Sequence, residues 1–178
     1  MRFCGDPRNQ PVPFIPQNNR PMAADIANRH IPGVTQLLGP AHSCCLPHLT
    51  FIVRDLEIMS HIMGEVLGGR EVYSSGEKQH SISPEKFFDV GGLWIAIMQG
   101  DPLPTRSYNH VAFKVSVEQL EKVKLAIEKL GLEFRSSRPR VSGDGQSLYF
   151  HDYDNHLFEL HTGTLEERLA AYQKLDET

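Results

Sequence analysis

Three residues of this chain have the types and spacing to hold a metal ion: His48, His110 and Glu159. His48 opens the segment HLTFIV and His110 opens HVAFKV 62 residues later, so two imidazoles occupy matching places in a repeated pattern. Glu159, in DNHLFELHTG, follows His110 by 49 residues, and the residue 49 beyond His48 is Ile97. Side chains alternate across a strand, which puts Leu157, Glu159 and His161 on one face and Phe158 and Leu160 on the other. A carboxylate among apolar neighbours needs donors or a counterion. Two imidazoles and a carboxylate suit a divalent first-row ion such as Mn(II), Fe(II), Ni(II) or Zn(II), and three protein ligands leave positions open for substrate. Ile97, at the fourth symmetric place, is read as what keeps the site open. The residues alone also allow a plainer reading, two strand-end histidines and an exposed glutamate.

The elements that must position these residues form a repeat. HLTFIVRDL reads as a strand leading into a helix with Leu56, Met59, Ile62, Met63 and Val66 at helical spacing, and Gly68 and Gly69 supply the stop. REVYSS, KFFDV and LWIAIMQ read as strands, the last two joined by a Gly-Gly turn. After the linker GDPLPTRS the order recurs: YNHVAFKV, a helix over SVEQLEKVKLAIEKLG with Leu120, Val123, Ile127 and Leu130 on one face, then LEFRS, SLYFHD and HLFELHTG. Thr164 and Glu167 have the spacing of a capping box for a last helix. The pattern predicts an α+β fold of two tandem βαβββ modules, 46–100 and 107–163, curved around a metal site, with a C-terminal helix over 164–175.

Eight of the twelve prolines fall in the first 47 residues, in aperiodic stretches such as PRNQPVPFIPQNNRP. Such a segment buries too little apolar surface to offset its ordering entropy, so residues 1–45 are expected to be a mostly disordered extension. A net charge of −4 argues against nucleic acid or an anionic membrane as partner. Cys4, Cys44 and Cys45 make no disulfide framework, and no apolar run reaches the ~20 residues of a membrane span. A cytoplasmic, soluble protein is expected.

An anion would need a local basic cluster, and RSSRPR supplies Arg135, Arg138 and Arg140. Glu85, after Pro84 in SPEKFF, reads on its own as a solvated residue at a strand start. Trp94 either lines a pocket or belongs to the core. His61 lies in the first helix and His80 in a polar loop, while His151, His156 and His161 flank the final strands and read as surface or structural; His161, on the strand face of Glu159, has support of that carboxylate as an alternative reading. Cys44, Cys45 and His48 resemble a metal cluster only superficially, since vicinal cysteines beside a disordered segment are poorly preorganised ligands.

The repeated module with His48, His110 and Glu159 resembles the vicinal-oxygen-chelate superfamily. The stretches HLTFIVRDLE, SPEKFF, LWIAIMQG, YNHVAFK, RPRVSGDGQSLYF and DNHLFELHTGTLEERL are similar to the FosX group of fosfomycin-resistance hydrolases, over residues 48 to about 172. The resemblance implies Mn(II) bound by His48, His110 and Glu159, and a homodimer that exchanges modules so that each site draws ligands from both chains. It implies Glu85 as the general base that activates water for addition to the epoxide of fosfomycin. It also implies Thr50, Arg135, Ser147, Tyr149 and Arg168 as substrate-binding residues. Thiol transferases of the family carry a lysine and a serine where this chain has Pro139 and Gly143, which leaves the contacts of Arg135 and Ser142 open. The alternatives are a fosfomycin thiol transferase, an Fe(II) extradiol dioxygenase and a non-catalytic antibiotic-binding protein.

Overall fold

The computed structural model describes residues 46–78, 80–137 and 140–176. The expectation for residues 1–45, the three cysteines and Arg138 lie outside the described residues. Two βαβββ modules follow one another. The first comprises β1 (His48–Val53), α1 (Leu56–His61, widening into a π-helical turn over Ile62–Val66), β2 (Arg70–Ser74), β3 (Glu85–Val90) and β4 (Leu93–Gln99). The second comprises β5 (His110–Lys114), α2 (Val117–Lys129), β6 (Glu133–Arg135), β7 (Ser147–His151) and β8 (Leu157–His161), and α3 (Leu165–Asp176) closes the chain.

Each module builds its own four-stranded mixed sheet, in the orders β1-β4-β3-β2 and β5-β8-β7-β6. The first and last strands of each module run parallel and the other pairs antiparallel. A parallel pair needs a long crossover, and here the helix and two intervening strands provide it. The helices start where the sequence caps them. Asp55 accepts from the amides of Glu57 and Ile58 at 2.8 and 3.1 Å, and Ser116 and Gln119 form a reciprocal capping box at the start of α2. Thr164 and Glu167 repeat that box before α3. Gly91 and Gly92 take positive φ, as a tight β3–β4 hairpin requires.

One face of each sheet is spent on the core. Phe51, Val53, Phe88, Val90, Ile95 and Ile97 pack with Met59, Ile62, Met63 and Val66, while Phe150, Phe158 and Leu160 pack with Leu120 and Ile127. Alternation then sends His48, Thr50, Trp94, Ala96, Glu85 and Phe87 to the opposite face of the first sheet. In the second sheet it sends His110, Glu159, His161, Ser147, Tyr149 and Arg135 to the corresponding face.

The register corrects the assignment of Ile97. Glu159 pairs with Ala112, two residues into β5, and the residue paired with Thr50, two residues into β1, is Ala96. The repeat offset is 62 residues at the first strands and 63 at the last, because the intervening loops differ in length by one residue. Ile97 faces the core with no exposure. The small aliphatic residue facing the open side is Ala96.

Candidate metal centre and anion pocket

Glu159 sits in the middle of β8, between β5 and β7, which is why its carboxylate meets side chains from both neighbours. The hairpin that delivers β8 is fixed by Asp152, whose Oδ1 accepts from the amides of Asp154 and His156 at 2.9 and 2.8 Å, with Asn155 in the left-handed region. Glu159 is buried, and its Oε2 lies 3.0 Å from His110 Nε2. The other nitrogen of that ring, Nδ1, donates to the Tyr108 carbonyl at 2.7 Å. In the neutral ring this leaves Nε2 with a lone pair, directed at a carboxylate that offers lone pairs of its own.

Burial pushes the Glu159 carboxyl up, but the Ser147 and Tyr149 hydroxyls and the His110 and His161 imidazoles outweigh it and hold the group below the usual carboxylate range. An ionised carboxylate and the lone pair of a neutral imidazole at this distance are what a metal cation would bridge. Two ligands each about 2.1 Å from one ion, at about a right angle, are about 3 Å apart, so the pair fits as adjacent ligands of a divalent metal. The arrangement around the pair is what metal-binding carboxylates and imidazoles carry elsewhere: the second ring nitrogen on a carbonyl, and hydroxyl donors on the carboxylate.

His48 stands on the other sheet. It is exposed at the start of β1, its ring 4.4 Å from that of Trp94, which is itself 42% exposed and packs edge-on against Phe87. Thr50 is exposed on the same face. Among the described residues no three His, Cys, Asp or Glu side chains of the single chain gather as a metal site. The chain thus brings together two of the three expected ligands and presents the third on a separate surface. Glu85 opens β3 on the His48 face and is only 8% exposed, so the solvated reading of this residue is corrected. Its backbone is pinned to Ser75, whose hydroxyl accepts from the Glu85 amide at 3.1 Å and whose amide donates to the Glu85 carbonyl at 2.9 Å.

A ring of donors surrounds Glu159. The Ser147 hydroxyl donates to Glu159 Oε1, accepts from Arg140 Nη2 and lies 2.8 Å from His161 Nδ1. Arg140 Nη2 also reaches Glu159 Oε1 at 3.0 Å and the Tyr149 hydroxyl at 3.5 Å. Burial, with the Tyr108 hydroxyl and Glu159 close by, pushes the Tyr149 phenol up, so it stays a donor. Arg168 comes in from α3, its Nη2 3.4 Å from His161 Nε2. The Arg135 guanidinium lies 4.5 Å over the Tyr108 ring. Of the two described arginines of RSSRPR, Arg140 is the one that touches Glu159, and its place on a loop gave no periodic signal to separate it from Arg135. His161 Nδ1 lies 3.8 Å from Glu159 Oε1, while His151 and His156 are both buried, the latter's Nδ1 2.6 Å from Asp152 Oδ2.

The chain matches the sequence model of the Glyoxalase/Bleomycin resistance protein/Dioxygenase superfamily over residues 46–160. It is 56% identical over 129 residues to the fosfomycin resistance protein FosX of Mesorhizobium japonicum, covering 72% of this chain and 93% of that one. A metallothiol transferase FosB of Lysinibacillus sphaericus is 34% identical over 131 residues, covering 71% and 88%. Among solved structures, a glutamate-to-glutamine variant of FosX from Listeria monocytogenes, complexed with Mn(II) and 1S,2S-dihydroxypropylphosphonic acid, aligns with a TM-score of 0.66 at 48% identity, covering 72% of this chain and 98% of that one. Two mixed βαβββ sheets, a His110–Glu159 pair shaped for a cation and these likenesses agree: the chain belongs to the glyoxalase/bleomycin resistance protein/dioxygenase superfamily and, within it, to the FosX family of fosfomycin resistance proteins.

Proposed function

We propose that the protein is a metal-dependent hydrolase that adds water to the epoxide of fosfomycin, with Mn(II) as its metal. The observation that carries this reading is the His110–Glu159 pair, 3.0 Å apart and set beside the donors of Arg140, Ser147, Tyr149 and Arg168. A cation site next to guanidinium and hydroxyl donors suits a small molecule with one oxygen to polarise and an oxyanion to hold. The diol bound in the Listeria FosX crystal is what adding water to such an epoxide leaves.

The third ligand is assigned to His48 of a second copy. His48, Thr50 and Trp94 are exposed on the sheet face that also carries the buried Glu85, and His110 and Glu159 lie on the matching face of the other sheet. A two-fold dimer that sets the first sheet of each copy on the second sheet of the other completes two sites at once. When bound there, the metal supplies Lewis acidity to the epoxide oxygen.

The chain's own groups do the rest. Arg140, Arg168, Ser147, Tyr149 and Thr50 bind and orient the phosphonate, and Arg135 lines its approach. Glu85 takes a proton from water as the water oxygen bonds to the carbon bearing the phosphonate. The carbon–oxygen bond of the ring breaks at that carbon, and the freed oxygen ends as a hydroxyl on taking a proton. The cytoplasm is the proposed compartment, in keeping with three cysteines that show no pairing pattern.

The test is phosphorus NMR of fosfomycin with purified protein and Mn(II), without thiol, against an EDTA control. Conversion to the diol that EDTA abolishes supports the reading. Conversion only after glutathione, cysteine or bacillithiol is added gives an adduct instead and moves the protein to the thiol transferases, the activity in the name of its FosB relative.

A further inference from the structure

We propose that Asp144 is a positioning residue that fixes Arg140 and Arg168 as a pair directed at the oxyanion end of the substrate; this rests on reading the site as one for a phosphonate. Asp144 has no solvent exposure, and each of its oxygens holds a different arginine. Oδ1 accepts from Arg168 Nε at 2.7 Å and Oδ2 from Arg140 Nη1 at 3.2 Å. One arginine comes from the loop before β7 and the other from α3, so the carboxylate ties together two segments 28 residues apart in sequence.

The way it holds them matters. A guanidinium is a planar fork, and anchoring one edge sets the direction of the other. With Nη1 on Asp144, Arg140 extends Nη2 into the Ser147, Tyr149 and Glu159 cluster. With Nε on Asp144, Arg168 places Nη2 beside His161. Two guanidinium charges brought this close repel, and the buried carboxylate between them offsets one charge while leaving a net positive pair for a dianion.

The carboxylate is itself rigidly placed. Its loop lies flat on the end of β8: Gly145 has φ +73°, and a Cβ there would stand 2.6 Å from the Gly163 nitrogen. A Cβ on Gly163 would stand 2.9 Å from the Asp144 carbonyl oxygen and 2.7 Å from His161 Nε2. Gln146 and Thr162 then exchange hydrogen bonds, the Gln146 amide to Thr162 Oγ1 at 2.8 Å and the Thr162 amide to the Gln146 carbonyl at 3.0 Å. The strand that carries Glu159 therefore carries the anchor of both arginines. Such preorganisation serves binding of the anion rather than the bond-making step.

The test compares wild type with Asp144→Asn and Asp144→Glu in the full chain loaded with Mn(II). Inorganic phosphate binding is measured by titration calorimetry, fosfomycin turnover by phosphorus NMR and folding by thermal melting. Asp144→Asn is expected to weaken phosphate binding and raise KM at least about tenfold, with kcat within about threefold. Asp144→Glu keeps the buried charge but displaces both arginines, and shifts KM and phosphate binding in the same direction by less. In the Asn background, Arg168→Lys then adds little, because the two changes remove one arrangement. Unchanged or tighter phosphate binding in a folded Asn variant overturns the proposal. If the Asn variant does not fold, wild-type phosphate binding by the Glu variant overturns it instead. The phosphate measurement does not depend on turnover. Weakened binding with a wild type that leaves fosfomycin intact would sink the hydrolase reading alone, and active wild type with unaltered variants would sink only the role of Asp144.

Discussion

His110 Nε2 and Glu159 Oε2 face each other at 3.0 Å while the opposite ring nitrogen of His110 is committed to the Tyr108 carbonyl. With the ring neutral, the pair is two acceptors that a divalent cation would bridge. Glu159→Gln and His110→Ala are each expected to lower Mn(II) affinity by about 100-fold or more, beyond the effect typical of losing only a supporting hydrogen bond. Electron paramagnetic resonance of free Mn(II) during titration measures this directly. Wild-type affinity in Glu159→Gln would remove Glu159 from the ligand set.

Glu85 is separable from metal binding because it is not one of the three expected ligands; it opens β3 on the first sheet with its backbone pinned to Ser75. Glu85→Gln is expected to keep Mn(II) affinity and lower kcat for diol formation by about 10²- to 10⁴-fold, the usual span for loss of a general base. Retention of full hydrolysis in this variant, with metal bound, excludes Glu85 as the base.

Much of this was legible from residue order. The alternation of β8 put Glu159 and His161 on one face, and the core register confirms it through Phe158 and Leu160. The helices were equally readable, since Met59, Ile62, Met63 and Val66 repeat at helical spacing behind the Asp55 cap. What failed were inferences that crossed loops. A constant offset selected Ile97, but one residue of loop length turns that side chain into the core and leaves Ala96 in its place. Arg135 and Arg140 are chemically alike, and only the folded loop shows that Tyr108 takes the first while Asp144 and Glu159 take the second. Alternation also cannot say which sheet face meets which, so the separation of His48 from His110 had no local signature.

His151 provides a pH signature. Both its ring nitrogens are buried without a hydrogen-bond partner among the described residues, and burial, reinforced by the Arg106 charge, holds its pKa below the ordinary histidine value. The unfolded chain, with a histidine pKa of about 6.5, then binds a proton that the folded one refuses. The stability contribution of neutral His151 is complete above about pH 6.5 and is lost as pH falls toward the folded pKa. Replacing it by Phe removes that proton, so the wild-type-minus-variant difference in unfolding free energy should fall between pH 7.5 and 5.5, by at most about 1.4 kcal/mol per pH unit. A flat difference in urea melts across that range would show that His151 titrates normally.

The sharpest expectation concerns how two copies share the site. If the metal takes His48 from one chain and His110 with Glu159 from the other, His48→Ala and Glu159→Gln are each inactive alone, since every site in either homodimer lacks one ligand. In a mixed dimer the site formed by the intact His48 of the Gln variant and the intact Glu159 of the Ala variant is whole, while the other site lacks both. Random reassortment puts half of the chains into mixed dimers with one whole site each, so the mixture should recover about a quarter of the wild-type rate. A site contained within one chain predicts no recovery at any mixing ratio. The exposed His48–Trp94 face and the separate His110–Glu159 face favour the first outcome. Turnover measured after denaturing and refolding the two variants together, with refolded single variants as controls, decides between them.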